Sequence, residues 1–357
     1  MRIAITGASG NIGTALLRRL VADGGHDLVG IARRTPAPAP PYDDVRWFSA
    51  DLSEPAAEDQ LRQAFSGADA VVHLAWGFQP SHDLGFLERL GVQGTRRVLA
   101  AADAAGVAHL VHMSSVGAYS AKSDDIPVDE SWPTEGVASS PYSRHKVAAE
   151  RLLDAYESTH GAGGMTVTRL RPGIVGQGSA GSALLRYGMP ALVPASVLGV
   201  LPLLPLDRRL CVPMVHADDV ADAVVRALQD RAPGAFNLAA DPAVTTAMIG
   251  EVLGARVVDL PAPAVRLAAS LAWHARIQPV DPGWLDLGFA VPLLDCGRAR
   301  AELGWAPRVD GRAVLVETVR GMRRASSGSS PVLRPRTVIG QIGRLLRHGP
   351  TSHRRLP

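Results

Sequence analysis

The stretch of sequence that decides the fold lies near the start of the chain and runs Thr6-Gly7-Ala8-Ser9-Gly10-Asn11-Ile12-Gly13. It follows a β-rich run and opens a helical pattern with apolar residues on one face. Its three glycines permit a tight turn, close approach of the backbone to a pyrophosphate and close packing of the helix. The helix N-terminus offers free N–H groups to the phosphates. The stretch therefore predicts a dinucleotide-binding βα turn, with a plain glycine-rich turn as the alternative.

Outward from this turn, short β-rich runs alternate with helical patterns. The predicted strands are Arg2–Thr6, Leu28–Ala32, Arg46–Ala50, Asp69–Leu74, Leu110–Ser114 and Val167–Leu170. The predicted helices among them include Gly10–Asp23, Gly94–Ala105 and Ser143–Glu157. Strands separated by helices are typical of a parallel sheet that is covered on both faces. We therefore predict an α/β fold with a Rossmann-type doubly wound parallel sheet.

Helical patterns dominate the later part of the chain and predict a smaller, mainly helical substrate lobe. These patterns are Thr245–Leu253, Ala262–Trp273, Gly297–Leu303 and Gly311–Met322. We predict that residues 1–172 form the dinucleotide-binding domain, to which residues 206–240 return. Residues 173–205 and 241–322 then form the lobe. From about Arg323 the sequence is rich in Ser, Gly, Pro and Arg, which predicts a basic, flexible tail over residues 323–357.

Composition excludes several classes of protein. Of 357 residues, 46% are hydrophobic and 20% are charged, which excludes disorder as the main state. Two cysteines cannot build a disulfide scaffold or a four-cysteine metal site. The eleven histidines show no metal-ligand spacing, so no metal is predicted. Residues 320–357 hold nine arginines and no acid, so the net charge of +3 reflects the tail and does not indicate a nucleic-acid-binding body.

Two segments bear on membranes. The uncharged run from Tyr187 to Leu206 is long enough to span one, but its four prolines would break a helix, so we interpret it as an apolar loop or lid. The tail has apolar residues at helical spacing beside arginines, which permits weak membrane-surface contact, with a solvated tail as the alternative. Those apolar residues are Val338, Ile339, Ile342, Leu345 and Leu346. Since the N-terminus shows no signal-peptide pattern, we expect a cytoplasmic protein.

The end of the second predicted strand bears on the choice of cofactor. An acidic residue there would hold the ribose 2′-hydroxyl of NAD, but the sequence reads Ala32-Arg33-Arg34. Two guanidinium groups can pair with a 2′-phosphate, so NADP(H) is favoured and NAD(H) remains possible. The alternative is a solvated basic turn. Asp51, after the third strand, suits the adenine amino group or a cap of the next turn.

A tyrosine and a lysine four residues apart predict the chemistry. Tyr142 and Lys146 lie on one face of a helix at this spacing. A phenol has a pKa of about 10, and a nearby ammonium is expected to lower it, so that the tyrosine exchanges a proton with a hydroxyl or carbonyl oxygen. Ser114 and Ser115 follow a predicted strand, where a serine can donate to a developing oxyanion. A surface tyrosine–lysine pair is the alternative.

Taken in order, these motifs resemble the extended short-chain dehydrogenase/reductases of the NAD-dependent epimerase/dehydratase group. The resemblance covers about residues 1–322. It rests on the Thr6–Gly13 turn, Asp51-Leu52, His73-Leu74-Ala75, Gly94-Thr95, Ser114-Ser115, Tyr142-x₃-Lys146, Arg171-Pro172, Val215–Ala221 and the run from Asp295 to Trp305.

The resemblance implies a role for each matching position. It implies that Tyr142 is the acid/base, that Ser115 polarises the substrate oxygen and that Lys146 contacts the nicotinamide ribose. The residues expected at the cofactor are Gly7, Ser9, Gly10, Asn11, Ile12, Gly13, Arg33, Arg34, Asp51, Leu52, Leu74, Ala75, Trp76, Tyr142, Lys146, Pro172, Gly173 and Val175. The residues expected at the substrate are Trp76, Ser115, Val116, Gly117 and Arg209.

The sequence also departs from the family pattern. Gly91 stands where an asparagine that helps to order the active site is common. Trp76 stands where a small residue is commoner, so a bulky ring is expected to narrow the substrate entrance. Gly176 stands where a tyrosine is usual.

Three reactions share this core. The residues after Ser114 include no Asp-Glu pair, which argues against sugar dehydration, and Gly173 and Val212 replace the polar residues of sugar-nucleotide epimerases. Since the Tyr187–Leu206 run is apolar, we favour an NADP(H)-linked carbonyl reductase or alcohol dehydrogenase for a fairly apolar small molecule. The alternative interpretation of the run is that its apolar residues only pack the lobe. The alternatives are a nucleotide-sugar epimerase and a non-catalytic dinucleotide-binding regulator. We expect a homodimer.

Overall fold

Strands and helices alternate along the first two-thirds of the chain. The structure, a computed structural model, describes residues 1–77, 83–189, 193–275 and 280–337. The strands are β1 (Arg2–Thr6), β2 (Asp27–Ala32), β3 (Arg46–Ser49), β4 (Ala70–His73), β5 (His109–Met113), β6 (Thr166–Pro172), β7 (Ile174–Gly176), β8 (Leu203–Pro205), β9 (Cys211–His216), β10 (Gly234–Leu238), β11 (Ala240–Thr245) and β12 (Arg256–Val258). The α-helices are α1 (Asn11–Asp23), α2 (Ala57–Phe65), α3 (Leu84–Glu88), α4 (Gly94–Ala104), α5 (Pro141–His160), α6 (Gly181–Gly188), α7 (Ala217–Asp230), α8 (Thr246–Leu253), α9 (Ala262–His274), α10 (Pro282–Ala290), α11 (Gly297–Leu303) and α12 (Gly311–Arg323).

Seven strands form the central sheet, in the order β10-β6-β5-β4-β1-β2-β3. All of its pairings are parallel. Strand order reverses direction at β1, so β1 and β4 flank the crevice where ligands bind in open α/β sheets. Hydrophobic clusters pack on both faces of the sheet, one around α1 and α7 and the other around α2 and α4. The predicted doubly wound parallel sheet is confirmed.

A second, smaller sheet was not predicted. It has the order β11-β9-β7 and pairs β7 with β9 in parallel and β11 with β9 in antiparallel fashion. Residues 206–240 were expected to return to the first domain, and only part of this segment does so. Helix α7 packs on α1 and β10 joins the central sheet, whereas β9 belongs to the small sheet. The short strands of this sheet carry too little alternation to be found in the sequence.

The apolar run from Tyr187 to Leu206, which the sequence predicts to be an apolar loop or lid, packs against the lobe. Residues 190–192 lie outside the described residues. The rest contacts α12 and, through β8, pairs with β12. Val200 and Leu203 are exposed. None of the helices in the described ranges is long and apolar enough to cross a membrane.

The prediction of a flexible tail from Arg323 differs from the structure over residues 324–337. Ser330 and Leu333 are fully buried. Leu333 packs with Ala180 and Ala183 beside α6, because the polar composition of the segment hides one apolar anchor and several backbone hydrogen bonds. The tail residues expected at a membrane surface, 338–347, lie outside the described residues.

Candidate active site

The glycine-rich turn between β1 and α1 fits a dinucleotide pyrophosphate. Gly7 has φ +71°, and a Cβ there would lie 2.7 Å from the Ala75 nitrogen; a Cβ at Gly13 would lie 2.4 Å from the Gly7 carbonyl oxygen. Gly10 caps α1 without a side-chain hydrogen bond, so the N–H groups that open the helix have no partner within it. These N–H groups and the helix dipole favour an anion.

The turn is tied to the segment that follows β6. The Asn11 side chain donates to the Val175 carbonyl at 3.3 Å, and the Gln177 amide donates to the Asn11 carbonyl at 2.9 Å. Ile12 is half-buried beside Asn11. Pro172 ends β6. The structure therefore brings the predicted pyrophosphate and nicotinamide segments together.

The predicted adenosine residues meet where β2 and β3 end. Asp51 accepts from the Ser53 N–H at 3.0 Å and from the Ser53 hydroxyl at 2.7 Å through Oδ1, so it caps the turn. Its Oδ2 lies 3.9 Å from Arg33, and both residues line a cavity of about 300 Å³. Both expectations for Asp51 are thus compatible. Leu52 is buried in the core.

The segment after β4 crosses over the turn. The Leu74 N–H donates to the Thr6 carbonyl at 3.0 Å, and the Ala75 N–H donates to the Thr6 hydroxyl at 3.4 Å. Buried His73 bonds the same hydroxyl at 2.7 Å. Burial, and then the charge of Lys146, lowers the pKa of His73 to about 3, so its neutral ring serves as a fixed hydrogen-bonding bridge.

Helix α5 carries the tyrosine and the lysine on adjacent turns. Ser140 caps this helix by accepting from the Ser143 N–H, and Pro141 occupies its first turn. The Ser143 hydroxyl donates to the Gly117 carbonyl at 2.6 Å, which anchors α5 to the turn after β5. The Tyr142 and Ser115 side chains are hydrogen-bonded to each other. Tyr142 and Ser115, two of the three residues expected to act together, are therefore in contact.

Lys146 is buried, and its ammonium is bound by groups other than Tyr142. Its Nζ donates to the Met113 carbonyl at 2.8 Å and lies 3.5 Å from the centre of the Trp76 ring. Its distance to the centre of the Tyr142 ring is 5.9 Å. Burial lowers the pKa of Lys146 to about 7, against the opposing charge of Glu150. The ammonium is held by a carbonyl and an aromatic face.

The expectation that Lys146 lowers the pKa of Tyr142 differs from the structure. Burial raises the pKa of Tyr142 to about 12, although the hydrogen bond with Ser115 opposes the rise. The physical reason is that Tyr142 loses water on burial, while the charge of Lys146 is not among the causes that act on its pKa. In this state Tyr142 is neutral and can donate a proton.

Two tryptophan rings flank Tyr142. The Trp284 ring centre lies 4.7 Å and the Trp76 ring centre 6.3 Å from that of Tyr142. Trp284 belongs to α10 in the lobe. Sequence reasoning missed it, because one tryptophan in a short apolar helix carries no signal of its partner.

Two departures from the family pattern prove to be neighbours. A Cβ at Gly91 would lie 3.1 Å from the Trp76 ring, so a larger residue at position 91 would press on the tryptophan. The missing asparagine and the extra ring therefore form one matched pair. Their effect is to place an indole over Lys146.

A buried ionic network supports α5 from behind. Glu150, one turn beyond Lys146, pairs with Arg171 at 2.9 Å and accepts from Ser114 at 2.5 Å. Arg171 also donates to Tyr119 at 3.0 Å. Burial favours the neutral carboxyl, but Arg171, Ser114 and Arg169 outweigh it and lower the pKa of Glu150. In the sequence, the one sign that Glu150 lies near the site is its position four residues after Lys146, which places both on one face of the helix.

Some of the predicted substrate residues border the site and one does not. Val116 and Gly117 form a buried turn after Ser115, whose Oγ accepts from the Gly117 N–H at 3.0 Å. A Cβ at Gly117 would lie 3.0 Å from the Tyr142 ring, so this turn borders the site. Arg209 instead pairs with Asp207 at 2.7 Å. Within the described ranges, no group of His, Cys, Asp and Glu side chains could hold a metal ion.

Comparison with known proteins gives a family and a fold. The profile of the NAD dependent epimerase/dehydratase family matches residues 3–239. The chain is 31% identical to dTDP-6-deoxy-L-talose 4-dehydrogenase (NAD(P)(+)) of Kitasatospora kifunensis over 344 residues, 93% of this chain and 97% of that protein. It is 27% identical to 2-alkyl-3-oxoalkanoate reductase of Shewanella oneidensis over 350 residues, 90% and 84% of the two chains.

A solved structure extends this comparison to the fold. UDP-glucose 4-epimerase of Thermus thermophilus, in complex with NAD, superposes with a TM-score of 0.68 at 23% identity and covers 91% of this chain and 100% of its own. The chain spans only 30% of the length of uncharacterised Mycobacterium relatives to which it is 28% identical.

Proposed function

This chain belongs to the NAD-dependent epimerase/dehydratase family, and we propose that it transfers hydride between NAD(P) and a carbonyl or alcohol group of a fairly apolar small molecule. The family contains oxidoreductases, epimerases and dehydratases that share a dinucleotide-binding fold. The proposal therefore concerns which of these reactions this chain performs and on what class of compound.

The observation that carries the proposal is the pair of tryptophan rings around Tyr142. Trp76 and Trp284 place two large apolar rings next to the ring of the proton donor. Such walls favour a ring or chain of low polarity. A hexose on a diphosphate gains less from them, because its hydroxyls need hydrogen-bond partners.

The arginines near the apolar run are engaged elsewhere, which supports the same substrate class. Arg186 donates to the carbonyls of Val332 and Arg334, and Arg209 pairs with Asp207. Arg208 lies 3.7 Å from Asp259. A diphosphate brings negative charges that need such groups.

The position where epimerases carry an asparagine points the same way. It is occupied here by Gly173, where a Cβ would lie 2.4 Å from the Pro213 carbonyl oxygen. The backbone leaves no room for a polar side chain at that position.

The residues divide the chemistry among them. A bound nicotinamide would supply or accept the hydride. Tyr142, neutral at physiological pH, donates its proton to the oxygen of a carbonyl substrate or accepts one from an alcohol. Ser115 holds the Tyr142 hydroxyl by a hydrogen bond and lies beside the reacting oxygen. Lys146 supplies positive charge 5.9 Å from the centre of the phenol ring, and the Trp76 and Trp284 rings limit the access of water.

We further propose that NADP(H) is the preferred cofactor. Arg33 and Arg34 stand where an acidic residue would favour NAD. Arg33 borders the cavity at the adenosine end. Guanidinium groups at this place suit a 2′-phosphate.

The second candidate is a sugar-nucleotide enzyme. The Kitasatospora relative is named for a dTDP-sugar, and its match covers nearly the whole of both chains. This candidate requires a diphosphate site that the charges described above do not supply.

A ligand panel tests the proposal. Saturation-transfer NMR and thermal shift, with NADP present, compare UDP- and dTDP-sugars with aromatic and aliphatic ketones. We expect ketones to bind and to be reduced by NADPH. Micromolar binding of a nucleotide sugar with no response to any ketone would establish the second candidate instead.

A further inference from the structure

The segment after α12 is bonded to the cofactor-binding turn. The Ser330 hydroxyl donates to the Ser9 carbonyl at 2.7 Å, across 321 positions of sequence, and Ser330 is fully buried. Ser9 belongs to the glycine-rich turn between β1 and α1. We name residues 326–337 the C-terminal strap.

The strap is fixed at several points along its length. The Ser326 carbonyl accepts from the Ser182 N–H at 2.7 Å, and the Arg336 guanidinium donates to the Val193 carbonyl at 2.8 Å. Between these two contacts, buried Leu333 packs beside α6. The Arg186 guanidinium donates hydrogen bonds to two carbonyls of the strap. A segment held in this way has a defined position over the turn.

The strap carries an arginine to the adenosine end of the groove. Arg34 is largely exposed, and its pKa is lowered first by the partial loss of water around it and then by the charges of Arg33 and Arg334. The charges of the neighbouring Arg33 and of Arg334, which lies 300 positions further along the chain, therefore both act on Arg34. The Asp51 carboxylate, 3.9 Å from Arg33, offsets part of this charge.

We propose that the C-terminal strap clamps the adenosine end of the cofactor and that Arg334 is a third arginine, beside Arg33 and Arg34, for its 2′-phosphate. This inference rests on the NADP(H) preference proposed above and assigns part of it to a segment outside the family's matched residues, 3–239. A doubly charged phosphate would relieve the mutual repulsion of the three arginines.

The contact with Ser9 indicates that the strap binds alongside the cofactor and does not block its site. It uses a backbone carbonyl of the turn, whereas a pyrophosphate needs the N–H groups at the start of α1. The strap and the phosphates therefore use different atoms of the same turn. Both can be present at once.

Calorimetry on the full chain tests the role of Arg334 without turnover. The probes are 2′,5′-ADP, which carries the 2′-phosphate, and ADP, which does not. Arg334→Ala should weaken the binding of 2′,5′-ADP about tenfold and change the affinity for ADP by less than about twofold. Arg324→Ala is the matched control, because Arg324 is exposed at the end of α12 and its loss changes the net charge equally.

The outcomes separate this inference from the proposed function. If the wild-type chain prefers 2′,5′-ADP but Arg334→Ala behaves like Arg324→Ala, the clamp is refuted while the NADP(H) preference stands. If the wild-type chain binds the two probes equally, the NADP(H) preference fails and the clamp fails with it.

A second measurement tells whether the strap binds alongside the cofactor or occludes the cofactor site. Hydrogen exchange of residues 326–337 should slow when 2′,5′-ADP binds. Ser330→Ala, which removes the bond to Ser9, should weaken 2′,5′-ADP binding. Faster exchange on binding, or tighter binding by Ser330→Ala, would show that the strap occludes the site and would overturn the proposal.

Discussion

The two ends of the predicted cofactor groove treat charge in opposite ways. At the adenosine end, Arg33 and Arg334 are half-buried and Arg34 is exposed, so like charges sit together in contact with water. At the catalytic end, a single ammonium, Lys146, is buried under an indole and its pKa falls to about 7. Under the proposed function, the first end attracts an anion and the second controls the position of a proton.

This difference separates two kinds of selectivity. Attraction between exposed charges is weakened by salt and acts on binding. Desolvation of a half-buried tyrosine and a buried lysine persists at any ionic strength and, under the proposed function, acts on the chemical step. Variants at each end should therefore change different measured quantities.

The largest effect is expected at the catalytic end. Tyr142→Phe removes the proton donor but keeps the ring between Trp76 and Trp284. The value of kcat should fall on the order of 10²–10⁴-fold, while the Kd of NADP(H), measured by fluorescence titration, changes little. Tyr156→Phe, on the same helix but bonded to Asp103, is the control and should keep its turnover. Undiminished turnover in Tyr142→Phe would remove Tyr142 from the mechanism.

The next effect belongs to the adenosine end. The double variant Arg33→Ala/Arg34→Ala should weaken the binding of NADPH by roughly 10–150-fold per well-placed group. The affinity for NADH should stay almost unchanged. Calorimetry at low and high salt measures both, and the loss should shrink as salt rises. Arg96→Ala/Arg324→Ala, with equal loss of charge, should preserve the preference. An unchanged preference in the first variant would contradict the assignment.

The buried lysine predicts a pH dependence of stability. Since the pKa of Lys146 is about 7 in the folded chain and about 10.5 when exposed, the unfolded chain binds more protons between these values. The free energy of unfolding contributed by this group therefore rises with pH, by up to about 1.4 kcal/mol per pH unit. Below pH 7 this dependence vanishes.

Urea denaturation from pH 7 to 8.5 measures this slope. The stability of the wild-type chain relative to Lys146→Met should rise by about 1–2 kcal/mol over the range. Lys122→Met, which changes the surface pair with Asp125, should follow the wild-type slope. Parallel curves for wild type and Lys146→Met would mean that Lys146 keeps an ordinary pKa.

The smallest effect concerns the apolar walls. Trp284→Ala should raise the KM for an apolar ketone about fivefold, because one side of the pocket loses its ring stacking contact. It should leave the Kd of 2′,5′-ADP unchanged, since that probe binds at the opposite end. Trp132→Ala, whose indole donates to the Ser120 carbonyl outside this aromatic group, is the control. A loss of affinity for both ligands would indicate general damage to the fold.

Local patterns predicted much of the fold and of the groove. The Thr6–Gly13 turn, the strand–helix alternation and the Tyr142–Lys146 spacing depend on neighbours within one element, so periodicity and residue type reveal them. The predicted strands agree with β1 to β6 to within two residues at each end. The small sheet of β7, β9 and β11 escaped notice, because short strands carry little pattern.

The sequence by itself determined the βα turn, the parallel sheet and the helix that carries Tyr142 and Lys146, because each is encoded by residues close together in the chain. Only the tertiary structure decided that Trp284 faces Tyr142, that Gly91 leaves room for Trp76 and that the strap reaches Ser9. It also decided the protonation of Tyr142 and Lys146. These features depend on contacts between distant segments and on the exclusion of water, and neither leaves a period or a spacing in the sequence.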